Sequence, residues 1–431
     1  MSILIKNARL VHARHTDAQT SDVYIVEGRI AGINEAPAGF VANQVVDAAG
    51  RKMSFALADL AVRLTEKGGN QRDVMADVLS AAVAGGVAHV ACLPDGSPIL
   101  DEPLLIDILR NKSEALGLAH VHVLGALTQD LKGTQLAELV TLSEHGCIAF
   151  TQADEPIQDT QILQRALSYA ASFKLPVWLR ATDFYLGGGF AASGAYASRL
   201  GLSGVPVAAE TIALLTLFEL LHSMGAQAPV VHIARISSAR AVELIRRAKS
   251  EGLRITCDVN MHHLHLVDTD MGYFNNQYVF NPPLRSSSDR SALRTAVLDG
   301  TIDAVVSDHV AVDFDAKQLP VGQTQAGAVG TQWLISLLVQ LAVEERADIA
   351  NALAAAVSRA YPILGLPVPA WVVGAAADVV VFDDESYQPL TEVLVCGHHY
   401  NTPYLGFELP VEIWATLVGG RVVHLQSYSL V

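Results

Sequence analysis

The 431-residue chain is 51% hydrophobic and only 17% charged, a balance that suits a large buried core and excludes a disordered or fibrous protein. Its 44 acidic residues against 29 basic ones leave a formal net charge of −15, which argues against nucleic acid and anionic membrane as partners. Cys92, Cys147, Cys257 and Cys396 lie far apart in apolar segments without CxxC spacing. Neither a cysteine zinc site nor a disulfide framework is therefore expected, and a cytoplasmic protein with reduced thiols is.

In chain order, residues 1–52 read as short alternating strands with glycine turns ("ILIKNARLV", "DVYIVEGRIAGI", "QVVDAAGRK"), without the apolar core of a signal peptide. Residues 53–365 change texture. The apolar runs "ALADLAVRL", "VAHVACLP", "HVHVLGAL", "GCIAFTQ", "PVWLRATD", "APVVHIARI", "RITCDVN" and "DAVVSDH" are each followed by helical stretches such as "RDVMADVLSAAVAGG". Eight strand-then-helix units predict an α/β fold, a (β/α)₈ barrel of the TIM type. Residues 366–431 return to strands, and the two flanking segments are expected to join into one small β-sandwich. No uninterrupted apolar run reaches the roughly 18 residues that span a bilayer.

Chemistry in such a barrel sits at the C-terminal strand ends. There the segments "LKGTQLAEL", "LGLSGVPVAAE" (200–210), "VVHIARISSARAVELI", "NMHHLHL", "FNPPLRS" and "SDH" (307–309) occur in order. Together with "NTPYLGFELPVEIWATLVGGRVVH" they resemble the dihydroorotases of the amidohydrolase superfamily over nearly the whole chain. The resemblance implies a zinc site built from an H-x-H on strand one, an acidic or carboxylated bridge on strand four, single histidines on strands five and six, and an Asp on strand eight. Such a metal polarises an amide carbonyl and brings the pKa of its water to about 7.

Carried onto this chain, those positions hold Ala61 and Arg63, then Gln152 or Ala153, then Arg180, leaving His232 and Asp308. Catalytic zinc takes three protein ligands and an open position, and Arg donates hydrogen bonds but does not coordinate. The resemblance thus implies a lost zinc site and no cofactor, with Asp308 a catalytic remnant and His232 a remnant ligand. Among substrate positions, Asn281, Arg285, His262 and His263 match the family. Thr65 replaces its Arg, Asp95 its Asn, Gln332 its usual Glu, and Val310, Ala311 and Val312 its small-Pro-His run. A carboxylate at Asp95 is expected to repel an anionic substrate.

Asp308 is expected to pair with Arg63 or Arg180, and Arg63 to reach Asp308 or Asp59, because an unpaired buried charge is costly. His232 is expected to be a hydrogen-bonded barrel histidine. If 262–265 continues a strand, His263 and His265 share a face and His262 does not. The H-x-H at His120 and His122 lies on the wrong strand with no evident acidic partner. "GGG" at 187–189 lacks the spacing of a nucleotide loop. The favoured expectation is a non-catalytic dihydroorotase homologue in pyrimidine biosynthesis. By resemblance alone it would be a homo-oligomeric structural partner of the aspartate transcarbamoylase catalytic chain. Two alternatives stay open: a cyclic amidohydrolase with an unorthodox metal set from His232, the 262–265 histidines and Asp308, or a metal-free small-molecule binder around Asn281 and Arg285.

Overall fold

The computed structural model describes residues 1–13, 15–66 and 74–426. Arg72 and Asp73, at the expected start of the first barrel helix, lie outside the described residues. Eight parallel strands follow one another in both sequence and space: Leu57–Val62, Val87–Cys92, His120–Ala126, Cys147–Thr151, Val177–Arg180, Val231–Ile236, Ile255–Asn260 and Ala304–Val306. The ring closes just beyond strand eight, where His309 N–H donates to the Ala61 carbonyl (3.0 Å) and Arg63 N–H to the His309 carbonyl (3.1 Å). A helix follows each strand, beginning with Met75–Ala84 and ending with Leu334–Glu344. The α/β barrel expected from the periodicity is the fold of the chain.

Inward side chains fill the barrel. Leu60, Ala61, Ala91, Leu124, Ala149, Trp178, Ala304 and Val306 form one buried cluster, with the Trp178 ring 4.8 Å from that of His232. The alternating small and bulky residues are what a packed barrel interior requires. Outside, the helix Val207–Met224 is long and apolar enough to cross a bilayer by length and composition, although Glu210 and Glu219 interrupt its apolar run. Its Leu214, Leu217, Phe218 and Leu221 are buried in the main core, and its Glu210 accepts from Ser237 N–H (2.6 Å).

Both terminal segments enter one mixed sheet of eight strands. Strand Lys52–Phe55 pairs with Ser2–Leu10 on one side and, antiparallel, with Val379–Pro389 on the other. Val379–Pro389 pairs in turn with Glu408–Val418. Ala56 N–H donates to the Asp378 carbonyl and Leu57 N–H to the Gly86 carbonyl, both at 2.9 Å, so the chain passes from this sheet into the barrel within one residue.

Gln332 ties the two parts together: its amide donates to the Leu394 carbonyl (2.8 Å) and accepts from Cys396 N–H (2.9 Å). Its backbone lies against Gly85, which ends the helix Met75–Ala84, and a Cβ on Gly85 would stand 2.6 Å from the Gln332 Cα and carbonyl oxygen. Backbone cannot rotate away as a side chain does. Gly85→Ala is therefore expected to destabilise the chain by about 1–3 kcal/mol, read as a lower urea midpoint. An unchanged midpoint would show that this seam yields freely.

Candidate functional site

The C-terminal mouth of the barrel is filled by an ion cluster. Arg63, just past strand one, reaches Asp95 with Nε (2.8 Å), Asp154 with Nη2 (2.7 Å) and Asp308 with Nη1 (3.2 Å). Arg235 reaches Asp308 (2.9 Å) and Asp154 (2.8 Å). Arg180 lies 3.3 Å from Asp154 and also donates to the Asn281 side-chain oxygen. Asn260 donates to the second oxygen of Asp308 (3.1 Å). The three arginine side chains are almost wholly buried, at 5% exposure or less.

Electrostatics explain why buried guanidiniums persist here. Burial disfavours the Arg63 charge, but Asp95, Asp154 and Asp308 together outweigh it and hold its pKa above the usual value. Burial likewise opposes the Asp308 carboxylate, yet Arg235 and Arg63 hold its pKa below the ordinary range. Arg180 is the least compensated: burial prevails over Asp154, Arg235 repels it, and its pKa is lowered.

Backbone geometry delivers these side chains. Ala153, Arg235 and Asp308 have φ of +51°, +54° and +47°, the left-handed region that non-glycine residues rarely occupy. Strict alternation from His232 would put 234 and 236 inside and 235 outside. The pairing of strands six and seven shifts register between Ile233 and Ile236 instead, and Arg235 turns into the mouth. Arg235 was therefore not legible from strand periodicity. Asp154 was not singled out either: it follows Ala153, whose left-handed backbone precedes its turn toward the three arginines. Gln152 is spent on the Leu131 carbonyl (2.6 Å) and the Thr128 hydroxyl (2.9 Å).

Arg63 does reach Asp308, as expected, but Asp59 bonds Ser307 through its amide (3.0 Å) and hydroxyl. The partner of Asp308 besides Arg63 is Arg235 and not Arg180. Asp95, expected to repel an anionic ligand, is consumed by Arg63. His232 is 1% exposed, with Nε2 2.8 Å from Asp258 and Nδ1 2.8 Å from the Thr256 hydroxyl. With Nε2–H donating to the carboxylate, its one lone pair accepts from Thr256. Asp258 also accepts from Arg235 N–H (2.7 Å), which couples the histidine to the cluster.

Residues 262–265 form a helical turn, so the strand argument for His263 and His265 fails. The turn sends the rings apart, His262 to the Tyr404 hydroxyl (3.0 Å), His263 to the Pro283 carbonyl (3.2 Å) and His265 to the Leu337 carbonyl (3.0 Å). Burial pushes them down to about 3, 4 and 4, so they are neutral at pH 7. Arg285 is held by Ser237 (3.0 Å) and the Val205 carbonyl (2.8 Å), away from Asn281's bond with Arg180. His120 does have an acidic neighbour: Asp378 lies 3.6 Å from it and 3.4 Å from His89, and His89 bonds His122 (3.1 Å). That network sits where barrel strands two and three meet the terminal sheet, opposite the mouth.

A zinc ion does not fit this mouth. The side chains of Ala61, Arg63, Ala153 and Arg180 offer no ligand atom, both ring nitrogens of His232 face partners, and Asp308 answers two guanidiniums.

The dihydro-orotase-like family model matches residues 50–240. The chain is 37% identical to a dihydroorotase-like protein of Pseudomonas aeruginosa, an alignment that covers 98% of this chain and 100% of the relative. It is also 37% identical to a dihydroorotase-like protein of Pseudomonas putida (98% and 99% covered) and 32% identical to a dihydroorotase of Geotalea daltonii (98% and 99%). Among solved structures it is similar to the L-hydantoinase (dihydropyrimidinase) of Arthrobacter aurescens, with a TM-score of 0.84 at 19% identity, covering 100% of this chain and 97% of that one. A D-hydantoinase from Thermus sp. gives a TM-score of 0.81 at 20% identity, covering 98% and 95%. At such identities these likenesses speak for the fold.

Two measurements probe the cluster. Removing one partner of a buried ion pair typically costs about 3–5 kcal/mol, because the other charge is stranded. Arg63→Met is expected to cost that much in denaturant unfolding, and Arg63→Met/Asp154→Asn less than the two single changes together; strict additivity would mean that the two side chains act independently.

Asp59 supplies a pH test. Burial pushes its carboxyl up to about 6, against the opposing bonds from Ser307. A raised folded-state pKa means that the folded chain binds the proton more tightly than the unfolded chain, whose value is near 3.8. The ionisation penalty is absent below that value and complete above about 6, at most about 3 kcal/mol at 1.36 kcal/mol per unit. Asp59→Asn is thus expected to gain stability relative to the native chain between pH 4 and pH 7, in urea titrations at each pH. A pH-independent difference would contradict the raised carboxyl.

Proposed function

The chain belongs to the dihydroorotase-like family, and from that premise we propose that it is a non-catalytic member with a structural role. The observation that carries the reading is Arg63, whose guanidinium bridges Asp95, Asp154 and Asp308 where the family's chemistry would place a metal. Hydrolysis of a cyclic amide needs an activated water and a polarised carbonyl, and the mouth residues are spent on one another.

A barrel retained without its chemistry is most useful as a binding surface. The partner we propose is the aspartate transcarbamoylase catalytic chain, in a cytoplasmic assembly for pyrimidine biosynthesis, with this chain itself oligomeric. That choice of partner comes from the resemblance read in the sequence, and the electrostatics of the mouth support the lack of turnover.

The test is paired. Chelated, zinc-supplemented protein is assayed for dihydroorotate formation and hydrolysis, and no turnover above buffer is expected. In cells lacking this chain, transcarbamoylase assembly and activity are expected to fall. They should be restored by the His232→Gln/Asp308→Asn double variant, once circular dichroism shows that it folds, or by His232→Gln alone if it does not. Failure of both folded variants to rescue would mean that the mouth still does chemistry or binds a required ligand.

A further inference from the structure

We infer that His12, His15 and Asp17 form a site for a divalent transition-metal ion, on the terminal sheet and apart from the barrel mouth. His12 Nε2 lies 3.0 Å from Asp17 Oδ2 and His15 Nε2 lies 3.5 Å from Asp17 Oδ1. The two imidazoles are parallel, 5° between planes and 4.5 Å between centroids. Among the described residues this is the one group of three His, Cys, Asp or Glu side chains whose ligand atoms all lie within 4.8 Å of one another.

The spacing has a chemical reading. Ligand atoms about 2.0–2.1 Å from a tetrahedral zinc stand roughly 3.3 Å apart; each imidazole is near that distance from its own Asp17 oxygen, 3.0 Å to Oδ2 and 3.5 Å to Oδ1. Each lone pair lies in its own ring plane, so a divalent cation held by both imidazoles and the carboxylate needs one ring to rotate out of the parallel stack. Two nitrogens and one oxygen suit Zn²⁺ or Ni²⁺ and do not suit Mg²⁺ or Ca²⁺, which take oxygen ligands.

The turn that carries the triad is built. Asp17 N–H donates to the Leu10 carbonyl and His12 N–H to the His15 carbonyl, each at 2.8 Å, and Val11 bridges Thr16. Trp371 donates from its indole to the Val11 carbonyl (2.9 Å) and stacks on Phe55 at 4.2 Å, which fixes the base of the turn. His12 and His15 also line a cavity of about 440 Å³ with Phe55, Leu353, Val357 and Trp371. The two histidines thus stand at the rim of an apolar pocket that Asp17 does not line.

The experiment uses untagged full-length protein stripped with a chelator. Zn²⁺ titrated calorimetrically is expected to bind at one equivalent per chain, with no heat from Mg²⁺ at the same concentrations. His12→Gln and His15→Gln each are expected to weaken Zn²⁺ by about tenfold or more, with the metal-free thermal midpoint unchanged because the side chains are partly exposed. Ni²⁺ should quench tryptophan emission, and Trp371→Phe should remove most of that quench. No uptake by the stripped native chain, or equal uptake by the His12→Gln/His15→Gln double variant, overturns the site. A further equivalent that persists in the double variant while the native affinity is lost upholds this site and counts against the metal-free mouth.

Discussion

The neutralisation of Arg63 and Arg235 by Asp154 and Asp308 is the interaction on which the barrel mouth depends. Removing these charges from water carries a penalty of several kcal/mol per ion, which Coulomb attraction offsets only when geometry is good and every donor is used. Here Asp154 is shared among three arginines and Asp308 between two, with Asn260 on its other oxygen. Three residues at the ends of strands four, six and eight sit in left-handed backbone. Such conformations cost of order 1–3 kcal/mol each and persist only when their surroundings over-determine them. The cluster supplies that determination: each strained residue either carries a cluster side chain or immediately precedes one.

Filling a mouth with ions has a functional consequence. A metal hydrolase keeps lone pairs and an open coordination position available; this mouth has donors facing acceptors. Positive and negative groups pair with one another, and the strands below are packed by Trp178 and small apolar residues. This is the electrostatic form that the proposed shape-bearing homologue would take.

Ionisable groups also gather at the opposite end of the barrel. Asp378 accepts from Gly419 N–H (2.7 Å) and faces His89 and His120, joining barrel strands two and three to the terminal sheet. Burial would raise its pKa, but His120, His89 and the Gly419 amide outweigh it and hold the carboxyl well below the usual range. The two ends thus use the same chemistry for different purposes, at one end to close a mouth and at the other to fix a seam between two sheets.

Strand–helix alternation is written in local hydrophobic periodicity, so the barrel and the flanking strands were legible from the sequence. Arg63 in reach of Asp308 was legible too, because an Arg at the end of a barrel strand must find a carboxylate. Arg235, Asp154 and the divergence of His262, His263 and His265 were not. The first two depend on a register shift and on left-handed backbone, which invert the facing that strict alternation assigns, and the third on a helical turn in place of continued strand. The pairing of His120 with Asp378, across 258 residues of chain, likewise required the fold. Sequence determined which chemical groups the strand ends carry; tertiary structure decided which way each one faces, because a single residue of register turns a side chain from one side of a strand to the other.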